Sequence, residues 1–241
     1  MAILLGIDTE TTSADSKNCE ITELGMALWD TQKKCPTTMF NALVSPYERE
    51  VLTEGASEAT GITDELRETS GLPVLNVFNY LSFLLSKADF VVAHNAPFDK
   101  EVLIENAVHL DCQDLATNLR DRPWIDTIED IPYPGVPSSH KLGHLAADHG
   151  FLNPFPHRAL FDVMTMLRVL GEYDWDKVKT YWGEEVFEVT AHVSYDNNHL
   201  AKALKYRWNP DRKIWLKNLR ESELSEDLPF RVSKRSLGKK G

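Results

Sequence analysis

The chain opens with an apolar run, Ile3 to Ile7, that stops at Asp8, the pattern of a buried strand whose C-terminal end is open to solvent. Glu23 to Asp30 (ELGMALWD) and Thr38 to Val44 (TMFNALV) extend it into an antiparallel meander, with the turn at KKCP. Pro46 to Ser70 is polar and contains glycine, so a loop with short helical turns is expected there. Leu72 to Lys87 has helical apolar spacing, and Pro73 is acceptable in a first turn. Phe90 to Ala93 reads as a short buried strand and Pro97 to Asn106 as a helix, with two further helices at His140 to His149 and Ala159 to Leu170. The proline-rich stretch Asp121 to Ser139 reads as a long irregular connection. Three strands followed by helix, strand and helices imply an α/β fold, a mixed sheet with helices packed on its faces.

A polar and aromatic link, Gly171 to Glu185, separates this part from a small unit. Its text predicts a strand (VFEVTAHVSY), a helix (NNHLAKALKYR) and a hairpin (RWNPDRKIWLKNL) turning at Asn209-Pro210-Asp211, hence a βαββ module. The expected organisation is a catalytic domain at 1–175, a module at 186–223 and a flexible tail at 224–241 that frays from Lys234.

The net charge of −11 changes the picture only when divided along the chain. From Val186 onward there are 12 Lys/Arg against 7 Asp/Glu, whereas the preceding part has 14 against 30. An acidic body can hold phosphates through bound cations, while a basic C-terminal part supplies Coulombic grip. Lys202, Lys205, Arg207, Arg212 and Lys213 are interleaved with Trp208 and Trp215, a composition suited to tracking phosphates and stacking bases. The string AKALKYRWNPDRKIWLK also resembles a small domain attached to various DNA-processing proteins. Cys19, Cys35 and Cys112 are scattered and lack paired spacing, as expected for reduced thiols in a cytoplasmic protein. No apolar run reaches the roughly 20 residues of a membrane span, and MAILLGIDTE is charged too soon for a signal peptide.

The candidate chemistry lies in four carboxylates and one histidine: Asp8, Glu10, Asp99, His157 and Asp162. Asp8 and Glu10 are two apart on a strand and so share a face. Asp99 opens a helix after a second apolar strand, and Asp162 sits on a helix with His157 just ahead of it. Pro154 and Pro156 keep the approach to His157 extended, leaving a base free to swing between water and solvent. Crowded carboxylates repel unless divalent cations join them. Two such ions about 4 Å apart hold the attacking and leaving oxygens of an in-line displacement at phosphorus.

Three segments resemble the Exo I, Exo II and Exo III motifs of the DEDDh exonucleases: Asp8-Thr9-Glu10-Thr11-Thr12, His94-Asn95-Ala96-Pro97-Phe98-Asp99, and His157-Arg158-Ala159-Leu160-Phe161-Asp162. The resemblance spans roughly Ala2 to Leu170; in Exo I, Ser13 stands where glycine is usual after the second threonine. The flanking strings DRPWIDT and SHKLGHLAADHG are most similar to the exodeoxyribonuclease X branch.

The resemblance implies a ribonuclease H-like fold and 3′→5′ hydrolysis of DNA to nucleoside 5′-monophosphates. It implies two divalent cations, Mg²⁺ or Mn²⁺, held by Asp8, Glu10 and Asp162, with Asp99 acting through water and His157 as general base. It places the backbone at Thr9 and Thr11 near the terminal sugar, puts His94 and Asn95 at the substrate, and makes Ile62 or Phe98 a wedge against the last base. The expected substrate is the 3′ end of single-stranded DNA; an exoribonuclease of the same superfamily and a non-catalytic scaffold are the alternatives. SEDLPF at 225–230 resembles the acidic Pro-Phe tips by which single-strand binding proteins recruit replication or repair partners. His140 and His144 share a helix face, but the intervening KLG matches no zinc motif. No phosphate-cradling glycine loop and no serine nucleophile elbow is present.

Overall fold

The computed structural model describes residues 1–47, 49–134, 139–225 and 227–239. Two compact units divide the chain, Met1–Trp175 and Asp176–Gly241.

The first unit begins with the expected meander, β1 (Ile3–Thr11), β2 (Ile21–Asp30) and β3 (Cys35–Leu43). Two short helices, α1 (Glu54–Thr60) and α2 (Asp64–Ser70), fill the region expected to be a loop with helical turns. Then come α3 (Val74–Leu85), β4 (Phe90–Ala93), α4 (Ala96–His109), α5 (Gln113–Asp121), β5 (Trp124–Asp126), α6 (Leu142–Asp148) and α7 (Ala159–Gly171). The sheet order is β3-β2-β1-β4-β5. β1 runs antiparallel to β2 and parallel to β4, which is parallel to β5.

Every residue of β2 is buried, because helices cover both faces of the sheet. Leu5 and Ile7 join Leu24 and Met26 in a core with Val77, Leu81 and Leu84 of α3 and Val102 and Leu103 of α4. The opposite face takes α7, and two glycines let it approach. A Cβ on Gly6 would meet Leu167 Cδ1 at 2.7 Å, and one on Gly25 would meet the Ala159 and Leu160 backbone at 2.4 Å.

The proline-rich stretch holds a strand where an irregular connection was expected. β5 is only three residues long and its strand neighbour is remote, so the pairing of Val92 with Ile125 leaves little local signal. Residues 135–138 of that stretch lie outside the described residues. The link at 171–185 likewise contains a helix, α8 (Trp175–Trp182), which buries Val178 and Trp182.

The second unit adds β6 (Glu185–His192), α9 (Asn198–Ala203), β7 (Arg207–Asn209), β8 (Ile214–Arg220) and β9 (Arg231–Lys239). They form an antiparallel sheet ordered β7-β8-β6-β9 around a small core of Val189, Ala191, Ala201, Tyr206 and Leu219. The expected βαββ module is therefore extended by one strand. Residues 231–239, expected within a flexible tail, pair with β6 along its length from Glu185 to His192. The backbone donors and acceptors on that side of β6 take β9 as their partner, which a fully exposed side-chain pattern does not announce.

Among the described residues, no helix is long and apolar enough to cross a membrane.

Candidate active site

Alternation along β1 places Gly6, Asp8 and Glu10 on the face toward α7. Asp8 pairs across the ladder with Gly25, the residue that lets the first turn of α7 rest on β2. That contact carries Asp162, in the same first turn, over the end of β1. Asp8, Glu10 and Asp162 each offer a carboxylate oxygen within 4.8 Å of the others. They are the one such group of potential metal ligands among the described residues, so the histidines at 140, 144 and 149 form none.

Asp99 stands apart from this trio. Its Oδ1 accepts hydrogen bonds from the Thr9 backbone N–H at 2.9 Å and the Thr9 hydroxyl at 2.7 Å. Thr9 lies between the two strand acids and points to the other face, so Asp99 flanks the trio from the side of α4.

The site is electrostatically expensive without a cation. Burial, followed by repulsion from Asp99, Glu10 and Asp162, holds the Asp8 carboxyl well above the usual carboxylate range. Burial and then the Asp162 charge push Glu10 up to about 7. Burial also lifts Asp99 to about 7 despite the hydrogen bonds from Thr9. Asp162 is raised by burial, offset in part by hydrogen bonds from the His157 and Arg158 backbone and from Asn153 Nδ2 at 2.7 Å. A set of oxygen donors that repel one another fits hard divalent cations, and all three acids of the trio are partly accessible.

Glu23, opposite Glu10 on β2, behaves in the opposite way. Its buried carboxylate accepts from Arg158 Nε at 3.1 Å, Arg158 Nη2 at 2.7 Å, the Ala159 N–H at 2.9 Å and Asn41 Nδ2 at 2.8 Å. Burial alone would raise it, but the bonds from Arg158, Asn41 and Ala159 outweigh that and keep it below the ordinary range. Glu23 thus fixes the N-terminus of α7 and the residue that follows His157.

His157 is exposed and left-handed, with φ 62°, in the turn just before α7. A non-glycine residue held there stores strain of about 1–3 kcal/mol, and the Arg158–Glu23 clamp next to it maintains the turn. Asn95 repeats the arrangement at α4: φ is 72°, its side chain makes no capping hydrogen bond, and it is exposed. His94 Nδ1 lies 2.8 Å from the Thr127 hydroxyl, while the Asn95 N–H donates to Asp126 Oδ1 at 3.1 Å.

The remaining candidates separate. Phe98 is half-buried against the core beside Asp99, and Thr11 spends its hydroxyl on the Ser13 carbonyl at 2.6 Å. Ile62, expected as a wedge against a base, is 1% exposed. The loop between α1 and α2 folds it inward, and its carbonyl accepts the Ser57 hydroxyl at 2.7 Å. In the second unit Trp215 packs against the small core, whereas Trp208 is 49% exposed. Phe230, at the end of the internal segment that resembles a Pro-Phe tip, stacks edge-on against Tyr206 with ring centroids 5.5 Å apart; Glu226 of that segment lies outside the described residues.

Residue reading missed Glu23, Gly25 and Asn153. Glu23 left one signal, an acid adjoining the apolar residues of ELGMALW, where a carboxylate is almost never fully buried unless paired.

A model of the exonuclease family matches residues 5–170, and a model of a domain of unknown function (DUF8626) matches residues 187–234. No curated protein sequence matches the chain significantly. Similar solved structures include E. coli exonuclease I in complex with a dT13 oligonucleotide, at TM-score 0.65 and 14% identity, covering 100% of this chain and 64% of that one. The chain therefore spans under two thirds of the length of exonuclease I. The nuclease domain of 3′hExo, a DEDDh family member bound to rAMP, aligns at TM-score 0.60 and 18% identity over 71% of this chain and 90% of that one. A 3′-exonuclease recognising the histone mRNA stem-loop aligns at TM-score 0.55 and 18% identity over 71% and 80%. The matched span of 5–170 contains every acid of the cluster and the turn that carries His157, and on that match the chain belongs to the exonuclease family.

Proposed function

We propose that this exonuclease hydrolyses terminal phosphodiesters of single-stranded DNA from the 3′ end and releases nucleoside 5′-monophosphates. The observation that carries the reading is the meeting of Asp8, Glu10 and Asp162 from remote segments within 4.8 Å. Two Mg²⁺ or Mn²⁺ ions fit this donor set, with Asp8, Glu10 and Asp162 holding them and Asp99 contributing from the flank. When bound, the ions supply positive charge that stabilises the phosphorane-like transition state and the departing oxygen.

The chain's own groups do the rest. His157 takes the proton of the attacking water on an imidazole nitrogen, and its exposed turn lets the ring return that proton to solvent. As the water oxygen bonds to phosphorus, the bond to the 3′ oxygen of the preceding nucleotide breaks. Asn95, exposed at the start of α4, orients the terminal nucleotide together with His94 and the backbone at Thr9 and Thr11. Phe98 is the better placed of the two wedge candidates. DNA is favoured over RNA by the exodeoxyribonuclease X similarity of the strings at 121–127 and 139–150.

Matched DNA and RNA oligomers labelled at the 5′ end, incubated with Mg²⁺ or Mn²⁺, test this. Stepwise shortening of the single-stranded DNA, lost on His157→Ala, is the expected result. Faster shortening of the RNA would assign an exoribonuclease instead, and an inert protein would leave a binding scaffold.

A further inference from the structure

The open face of the second unit's sheet carries a charge pattern that the hairpin composition did not reveal. Side chains paired across an antiparallel ladder point to the same side, so the register sorts the residues into two faces. Val189 and Ala191 of β6 are buried beneath α9, and their partners Lys217 and Trp215 on β8 and Lys234 and Val232 on β9 share that inner side. The outer side then takes Glu188, Thr190 and His192 from β6, Leu216 and Asn218 from β8, and Arg231, Ser233 and Arg235 from β9. Arg207 of β7, paired with Leu216, joins them at the other edge.

Glu188 is the one acid that the register places on this side, and it is shared. Arg212 Nη1 lies 2.8 Å from Glu188 Oε2, and Arg235 Nη2 lies 3.3 Å from Oε1. One carboxylate therefore orients two guanidinium groups while neutralising the charge of one. β9 itself holds Arg231, Lys234, Arg235 and Lys239 with no acid, and all nine of its residues are exposed. The hydroxyls of Thr190 and Ser233 and the His192 imidazole, whose Nε2 lies 2.9 Å from Ser233 Oγ, sit between the arginines.

We propose that this outer face, centred on Arg231, Arg235, Arg212 and Arg207, binds the backbone of a single-stranded nucleic acid. Its occupant is fixed by charge complementarity. Guanidinium forks match phosphate oxygens, and neutral hydroxyls accept from or donate to sugar and phosphate. The inference rests in part on the proposed function, because a nuclease gives the second unit a strand to hold. It keeps Arg207 and Arg212 of the hairpin but moves the contact from the side of the sheet that carries Trp208 and Trp215 to the opposite side.

The test measures binding of the full-length protein to a fluorescent oligothymidylate by anisotropy, in EDTA so that no hydrolysis intervenes, across a salt series. For the double variant Arg231→Ala/Arg235→Ala, the expected result is a Kd raised by about 10-fold and a salt slope reduced by about 1.4, from roughly 0.7 per single-strand phosphate contact. The variant Lys202→Ala/Lys213→Ala, which removes two exposed cations elsewhere in the unit, is expected to change both less. Thermal melting checks that each variant is folded. An unchanged Kd and slope in the arginine variant overturns the proposal, as does a larger loss in the lysine variant. Arginine-dependent binding to vesicles containing phosphatidylserine, without oligonucleotide binding, also overturns it and makes the face a membrane contact. Hydrolysis of a dinucleotide by the wild-type protein is scored separately, so failure of the nuclease reading is not mistaken for failure of this one.

Discussion

Burial lifts all four acids above the range of an ordinary surface carboxylate, and this has a measurable sign. Glu10 and Asp99, each at about 7, retain protons in the fold that the unfolded chain has already lost. In the cation-free protein their contribution to stability therefore falls as pH rises from about 4 to about 7. A cation binds the ionised form, so the rise in Tm on adding Mn²⁺ should be small near pH 5 and grow toward about pH 8. A Tm shift that shrinks over this interval would contradict the assignment. Asp8→Asn removes a buried charge that Asp99, Glu10 and Asp162 repel, at nearly constant volume. At about pH 8 the cation-free variant should melt a few degrees above wild type, show no cation-induced shift, and lose hydrolysis by about 100-fold or more. Glu23→Ala strands the Arg158 guanidinium and the Ala159 N–H, and should lower kcat by about 10-fold or more with little change in KM. Glu23→Gln, which keeps some of the acceptors, should recover part of the loss. A shifted pH–rate profile in these variants would report movement of the His157 turn, which a purely stabilising role would leave alone.

At the scale of elements, what sequence made legible was whatever repeats locally. Strand alternation was enough to put Asp8 and Glu10 on one face, and Phe90–Ala93 emerged with the bounds expected from its apolar run. What escaped depended on distant partners. β5 and β9 exist because β4 and β6 present unpaired edges to them, and neither has an apolar periodicity of its own. Glu23 read as the start of a strand because its partner, Arg158, lies 135 residues away. Ile62 was assigned a contact with a base through similarity alone, while burial is set by how α1 and α2 close around it. Gly25 was invisible for a related reason: a missing side chain signals a close approach only when the approaching helix is known. Gly25→Ala would drive a methyl group into the backbone of α7 at 2.4 Å. It should cost about 1–3 kcal/mol in urea unfolding and lower activity together with stability, because the first turn of α7 carries Asp162. A fully active and equally stable alanine variant would show that α7 is not seated on that strand.

At the scale of the whole molecule, opposite charges are divided between two units. The acidic unit brings three carboxylates together where they could hold a cation, and the basic unit presents arginines on an open sheet. The claim on which all of this depends is that Asp8, Glu10 and Asp162 form a cation site. Diffraction from crystals grown with Mn²⁺, recorded at the manganese edge, tests it directly. Anomalous peaks among these three carboxylates, with one adjoining the Asp99 side and all absent in Asp8→Ala crystals, are the predicted result. Manganese bound elsewhere, with the trio empty at saturating concentration, would contradict it.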